Sequence, residues 1–177
     1  MGQLNGYTIL IVEDDTDMAE TCRVLRNHGE KSKSNHTVVG YCFRLDNLQA
    51  AILNHKLKNY DSCIARRREI AALYQAALGD VEGLRLPPAP DQDPDHFDIF
   101  QNYELEAEHR DGLRQYLRER GVGTLVQWGG KAVHQFTGLG FCQRLPYTEQ
   151  LFQRLLMLPM NTSLSNDDVR YVCDCIR

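Results

Sequence analysis

Residues 8–12, TILIV, are the first apolar run of the chain and are closed by Glu13, Asp14 and Asp15. A short apolar run bounded by polar residues reads as a buried strand ending in an acidic turn. Asp15 or Thr16 then caps a helix through Met18, Cys22 and Leu25, stopped by Gly29. Residues 30–37 are polar and read as a loop, either a solvated connector or, through Lys31 and Lys33, a phosphate contact. Leu45, Leu48, Ile52, Leu57, Tyr60 and Ile64 fall close to helical spacing, and Ala71, Tyr74 and Leu78 continue the face. The spacing predicts a helical stretch over 46–78, broken near 54–58 and stopped by Gly79. Asp46 suits its N-cap, with Gln49 three residues on to reach back. Arg66, Arg67, Arg68 and Glu69 read as its solvated side.

The second half begins with a proline-rich connector, residues 84–94, which excludes regular helix and central strand. Residues 98–106, DIFQNYELE, alternate as a half-buried strand does. A short helix follows from Arg110 to Gly121, and residues 122–127 read as a second strand. Two strands around a helix imply a small α/β lobe. Residues 146–158 read as a helix ending at Leu158-Pro159. Ser165 caps the last helix, with Asp168 three residues on and Val169, Val172, Cys173 and Ile176 on one core-facing stripe.

The chain has 177 residues, 42% hydrophobic and 25% charged, with a net charge of −4. These values suit a globular protein and give no basic patch for nucleic acid or an anionic membrane. No apolar run approaches the roughly 20 residues of a membrane helix. Six scattered cysteines without a C-x-x-C pair read as free thiols, and with no secretory pattern at the N-terminus they give a cytoplasmic expectation. No zinc-ligand spacing, phosphate-binding glycine loop or nucleophile elbow is present, so no metal site is expected. Asp91, Asp93 and Asp95 alternate without calcium-loop register and read as a solvated loop.

Residues 128–136, WGGKAVHQF, are the richest in candidate chemistry. Trp128 can cover a flat ligand, Lys131 can meet a phosphate, and His134 can donate a hydrogen bond. Gly129 and Gly130 permit close backbone approach. The blander reading is a turn with a packed tryptophan. At residues 40–57, an arginine, Arg44, stands at a helix entrance, where free N–H groups and the helix dipole favour an anion. The blander reading is again a capped core helix with a surface arginine.

One fragment, ILIVEDD at 9–15, resembles the start of a response-regulator receiver. A receiver needs a later apolar strand ending in the phospho-acceptor aspartate, and residues 54–61 lie in a helical pattern instead. A longer match points elsewhere. Gly40-Tyr41-x-x-Arg44-Leu45-Asp46-x-Leu48-Gln49-Ala50-Ala51-Ile52-Leu53 resembles the signature of the DegT/DnrJ/EryC1/StrS family. Arg26-Asn27-His28-Gly29, His134 and Leu158-Pro159-Met160 are similar to further family features.

The resemblance implies a pyridoxal-phosphate-dependent aminotransferase of nucleotide-linked keto-sugars, taking its amino group from glutamate in amino-sugar biosynthesis and acting as a homodimer. It implies an α/β chain equivalent to the C-terminal part of a fold-type I aminotransferase. Its parts would be a remnant strand and helix of the large domain at 1–45, a long linking helical segment at 46–83, and a small lobe with a short antiparallel sheet at 84–177. Arg44 and Cys42 would face the cofactor phosphate, Cys42 standing where the family carries an asparagine. Trp128, Lys131 and His134 would face the substrate. The Schiff-base lysine is expected upstream of the matched region, so no catalytic residue is assigned and the chain alone is expected to be inactive. The alternative is a non-catalytic dimerisation or ligand-binding module derived from the same family.

Overall fold

The computed structural model describes residues 2–4, 7–9, 16–43 and 45–177, the first two segments by backbone alone. The chain forms two compact units, Met1–Asn59 and Tyr60–Arg177.

In the first unit, β1 (Gly2–Leu4) pairs antiparallel with β2 (Tyr7–Ile9). The strand expected at 8–12 is described only as far as Ile9, and the acidic turn at 13–15 lies outside the described residues. Helix α1 (Thr16–Arg26) ends where His28 and Gly29 turn left-handed, at φ 60° and 74°. The Gly29 N–H returns to Val24 O at 2.9 Å, satisfying a carbonyl of the last turn. Residues 30–37, expected as a loop, instead hold a tight hairpin of β3 (Glu30–Ser32) and β4 (Asn35–His36). Glu30 makes this possible: its carboxylate accepts from Ser34 N at 2.6 Å and from Asn27 Nδ2 at 2.9 Å. The chain then runs back along the end of α1, with Tyr41 N donating to Leu25 O and Phe43 N to Arg26 O.

Helix α2 (Asn47–Leu57) is capped at Asp46, whose Oδ1 accepts from Gln49 N at 2.8 Å, one half of the expected capping box. Its apolar positions are not a core face, however: none of its residues is buried, and Leu48 is 72% exposed.

In the second unit, α3 (Tyr60–Leu78) is a separate helix, the turn at Lys58 and Asn59 dividing the helical run. Ile70, Ala71, Tyr74 and Leu78 are its buried residues. The sheet is three-stranded and antiparallel. β5 (Leu84–Arg85) pairs with β6 (Tyr103–Ala107) across Leu84–Ala107 and Arg85–Glu106. Along β6, Tyr103, Leu105 and Ala107 are buried and the two glutamates between them point outward, the alternation expected of a half-buried strand. The strand starts later than 98 because Asp98 folds its carboxylate onto Phe100 N at 2.7 Å and Phe100 itself turns to φ 50°.

Helix α4 (Arg110–Glu119) and helix α5 (Pro146–Arg154) follow, and then β7 (Leu155–Leu158), which pairs with β6. Here two expectations are corrected. Residues 122–127 are not a strand; they contribute only a single bridge, Leu125 to Met157. The third strand is 155–158, read from sequence as the end of a helix. Leu156, Met157 and Leu158 are all buried, and a strand buried on both faces has no alternation to reveal it.

Helix α6 (Asn166–Ile176) opens with a capping box: Ser165 Oγ accepts from Asp168 N, and Asp168 Oδ2 accepts from Ser165 N at 2.9 Å. Ile70, Tyr74, Leu105, Leu117, Leu156 and Val169 belong to the single core that joins the sheet to α3, α4 and α6.

The arginines of α3 are not a solvated face. Arg66 donates to Leu164 O and Asn166 Oδ1, Arg67 to Phe100 O and Gln101 O, and Arg68 to Asp98 O while lying 4.3 Å over the Phe97 ring. Consecutive positions on a helix point in different directions, so the guanidinium groups tie down two loops, Arg66 the one before α6 and Arg67 with Arg68 the one that leads into β6. Among the described residues no helix is long and apolar enough to cross a membrane.

Candidate functional site

The loop between α4 and α5 builds a cavity in the second unit. Leu125 is tied to β7 by reciprocal backbone bonds with Met157, at 3.1 and 2.9 Å. A 3-10 turn, Gln127–Gly130, follows at once, with Trp128, Gly129 and Gly130 all in the left-handed region. Trp128 has φ 49°, a conformation disfavoured for a residue with a Cβ, and the residue is 71% exposed. The two glycines carry the turn onward at no steric cost.

A second 3-10 turn, Val133–Gln135, presents His134 inward, only 9% exposed. Gln135 Oε1 accepts from Ala132 N at 2.9 Å and fixes the start of this turn. His134 Nε2 lies 3.2 Å from Glu149 Oε1, and the same oxygen accepts from Leu145 N at 3.0 Å. The Leu145 N–H, then the His134 hydrogen bond, hold the Glu149 carboxyl below its ordinary value. Glu149 sits in the first turn of α5, where the helix dipole favours an anion.

Together these turns and α5 border an open cavity of about 970 Å³, with Trp128, Lys131, His134, Phe136, Leu139 and Phe152 in its wall. A largely apolar cavity with a few polar groups is the usual form of a small-molecule site. The three residues singled out as substrate contacts, Trp128, Lys131 and His134, therefore line one space. Sequence reasoning missed Glu149, although an acidic residue four positions after Leu145, at the start of a helix with proline at its first position, was a visible signal.

The residues assigned to a cofactor phosphate lie in the first unit. Cys42 is exposed, carries a free thiol and bridges Asn27 in the strip that runs back along α1. Arg44 lies outside the described residues. Among the described residues there is no group of three or more histidine, cysteine or acidic side chains able to hold a metal ion. Asp91 pairs with Arg68, and Asp93 Oδ1 accepts from Asp95 N at 2.9 Å, so these aspartates brace their own loop.

The model of the DegT/DnrJ/EryC1/StrS aminotransferase family matches residues 9–177. A pleiotropic regulatory protein of Geobacillus stearothermophilus is 36% identical over 170 residues, covering 94% of this chain and 45% of the relative. A dTDP-3-amino-3,4,6-trideoxy-alpha-D-glucose transaminase of Streptomyces venezuelae is 33% identical, covering 94% of this chain and 44% of the relative. The crystal structure of S. venezuelae DesV in complex with a ketimine intermediate superposes with a TM-score of 0.80 at 32% identity, covering 92% of this chain and 44% of that one. The chain thus spans less than half the length of these relatives, and it matches the C-terminal portion of the family. It belongs to the DegT/DnrJ/EryC1/StrS aminotransferase family.

Proposed function

We propose that this chain provides the sugar-nucleotide-facing lobe of a pyridoxal-phosphate-dependent aminotransferase acting on nucleotide-linked keto-sugars, with glutamate as amino donor. The observation that carries the proposal is the cavity in which Trp128, Lys131 and His134 meet. Relatives named as transaminases of dTDP-linked and UDP-linked sugars support the substrate class. In this reading Trp128 covers a flat ring, Lys131 meets a phosphate as a point charge, and His134 orients a polar group of the sugar. Residues 1–45 would then belong with the large domain, 46–83 with the linking segment and 84–177 with the small lobe.

Pyridoxal phosphate supplies the amino-group transfer chemistry of the family. A catalytic Schiff-base lysine is activated by desolvation or by a neighbouring cation, and all five lysines of this chain, Lys31, Lys33, Lys56, Lys58 and Lys131, are exposed. The residues described do not compose such a site by themselves. The proposal is accordingly that the chain alone does not transaminate, and that Cys42 and Arg44 contribute at most phosphate contacts. Borohydride reduction after adding pyridoxal phosphate is expected to leave no stoichiometric lysine adduct. An adduct on one lysine accompanied by glutamate turnover would refute this part.

Trp128 is the single tryptophan, so its fluorescence reads the cavity directly. Titration with dTDP-glucose is expected to change that fluorescence saturably, and Lys131→Ala and His134→Ala are each expected to weaken the response. An unchanged signal in the wild type, or equal affinity in both variants, would refute the assignment.

A second reading, a dimerisation module without catalysis, draws on α2 and the strip before it. Tyr41 and Phe43 stack at 5.1 Å between ring centroids, yet are 58% and 71% exposed, beside a helix with no buried residue. Sedimentation of the wild type against Leu48→Asp tests it: a dimer that the variant abolishes, with no dTDP-glucose response in either protein, would favour this reading.

A further inference from the structure

We infer that Glu149 is a positioning residue that fixes His134 as its Nε2–H tautomer, so that the ring offers the cavity an acceptor, Nδ1, and suits a ligand presenting a donor there, such as a sugar hydroxyl. The ligand class rests on the proposed function; the tautomer does not.

The geometry is closed on one side. Glu149 Oε1 lies 3.2 Å from His134 Nε2 and accepts the Leu145 N–H at 3.0 Å. The carboxyl is held ionised by these same contacts, the Leu145 N–H foremost. An ionised carboxylate can only accept, so the proton shared with it must reside on Nε2. A neutral imidazole has one N–H, and here it is directed to α5 rather than to a ligand. Glu149 itself is not part of the cavity wall, whereas His134 is, which leaves Nδ1 as the ring nitrogen available to a ligand.

The ring has little freedom to reverse these roles. It is 9% exposed, and its 3-10 turn is fixed by the Gln135 side chain on Ala132 N. A histidine read from sequence as a donor thus becomes an acceptor once its partner is known. Lys131, on the same wall, supplies the donor charge, so the two polar groups ask for different atoms of one ligand.

The test is ¹⁵N NMR of the full chain labelled at histidine, at a pH where the ring is neutral, with His134 assigned by its loss in His134→Gln. The expected result is a protonated Nε2 and a bare Nδ1. A protonated Nδ1 in the wild type would overturn the inference. Glu149→Ala is expected to relax the preference to that of a free neutral histidine, which favours Nε2–H only in part, and a preference as complete as in the wild type would equally overturn the inference. Should Glu149→Ala fail to fold, the wild-type spectrum still decides, and Glu149→Gln, whose amide can either donate or accept, is expected to show a mixture. Added dTDP-glucose should shift the Nδ1 resonance and bind Glu149→Ala roughly three- to tenfold more weakly. No binding to the wild type, with the tautomer as inferred, would refute the proposed function alone. Binding that leaves Nδ1 unmoved would refute the acceptor role.

Discussion

The backbones of Gly29 and Gly40 cross with no room for a side chain on either. A Cβ on Gly40 would lie 2.0 Å from Gly29 N, and one on Gly29 would lie 1.8 Å from Val38 O. This crossing lets the strip 37–43 run back along the end of α1, where His28 N donates to Tyr41 O at 2.9 Å. One glycine closes α1 and the other opens the segment that leads to α2, so a single crossing accounts for both.

Gly40→Ala should therefore destabilise the first unit by about 1–3 kcal/mol, because backbone atoms cannot move aside as a flexible side chain can. Gly29→Ala should cost more, since its φ of 74° adds strain to the clash. Hydrogen exchange at the Tyr41 and Phe43 amides checks this. Protection equal to wild type in both variants would show that the crossing is dispensable.

Arg67 donates to Phe100 O at 3.0 Å and Gln101 O at 2.6 Å, two carbonyls at the point where the chain turns into β6. Charge-assisted bonds of this kind contribute about 1.5–3 kcal/mol, and Arg67→Ala should lower the urea midpoint accordingly. A variant as stable as wild type would return these arginines to the role of solvated surface.

How far such features could be read from sequence depends on the range over which they act. The Asp46 and Ser165 caps were legible because their partners, Gln49 and Asp168, lie three residues away. The Trp128, Lys131 and His134 cluster was legible for the same reason. The Arg67 staple was not, because its partners are 33 and 34 residues distant and are carbonyls without side-chain identity. β7 was missed because Leu-Leu-Met-Leu has no period, and its strand character comes from pairing with β6. The apolar residues of α2 carried a helical rhythm, but rhythm alone does not say what buries them.

Tyr74 and Tyr103 lie 4.9 Å apart by ring centroid and differ in one respect. Tyr74 Oη donates to Pro159 O at 2.9 Å, whereas Tyr103 Oη is buried with no partner among the described residues. Burial raises both phenols above their ordinary value. Tyr74→Phe should destabilise by about 0.5–1.5 kcal/mol, and Tyr103→Phe should be neutral or stabilising, since it removes an unsatisfied group. Thermal unfolding of the two variants distinguishes them; equal losses would contradict the difference in bonding.

The Asp168 carboxyl is held below its ordinary value by the Ser165 hydroxyl and then by the Ser165 N–H. A pKa depressed on folding contributes stability above the unfolded value, and that stability is lost as the pH falls through the lower folded value. The gap in unfolding temperature between wild type and Asp168→Ala should be widest near pH 6 and close as the pH drops below about 4. A gap constant down to pH 2 would show that the capping box does not depend on the charge.

Cys173 is buried on α6 and its thiol is pushed up to about 11, first by burial and then by Asp174. At pH 8 roughly one such thiol in a thousand is thiolate, the form that reacts with alkylating agents. Cys22, Cys42 and Cys142 are exposed. Iodoacetamide should therefore modify these three in the native protein while sparing Cys173, which should react only after urea opens the second unit. Mass mapping at increasing urea concentrations reads the order. Alkylation of Cys173 at the same native rate as the exposed thiols would mean that α6 does not remain packed on the core as the structure has it.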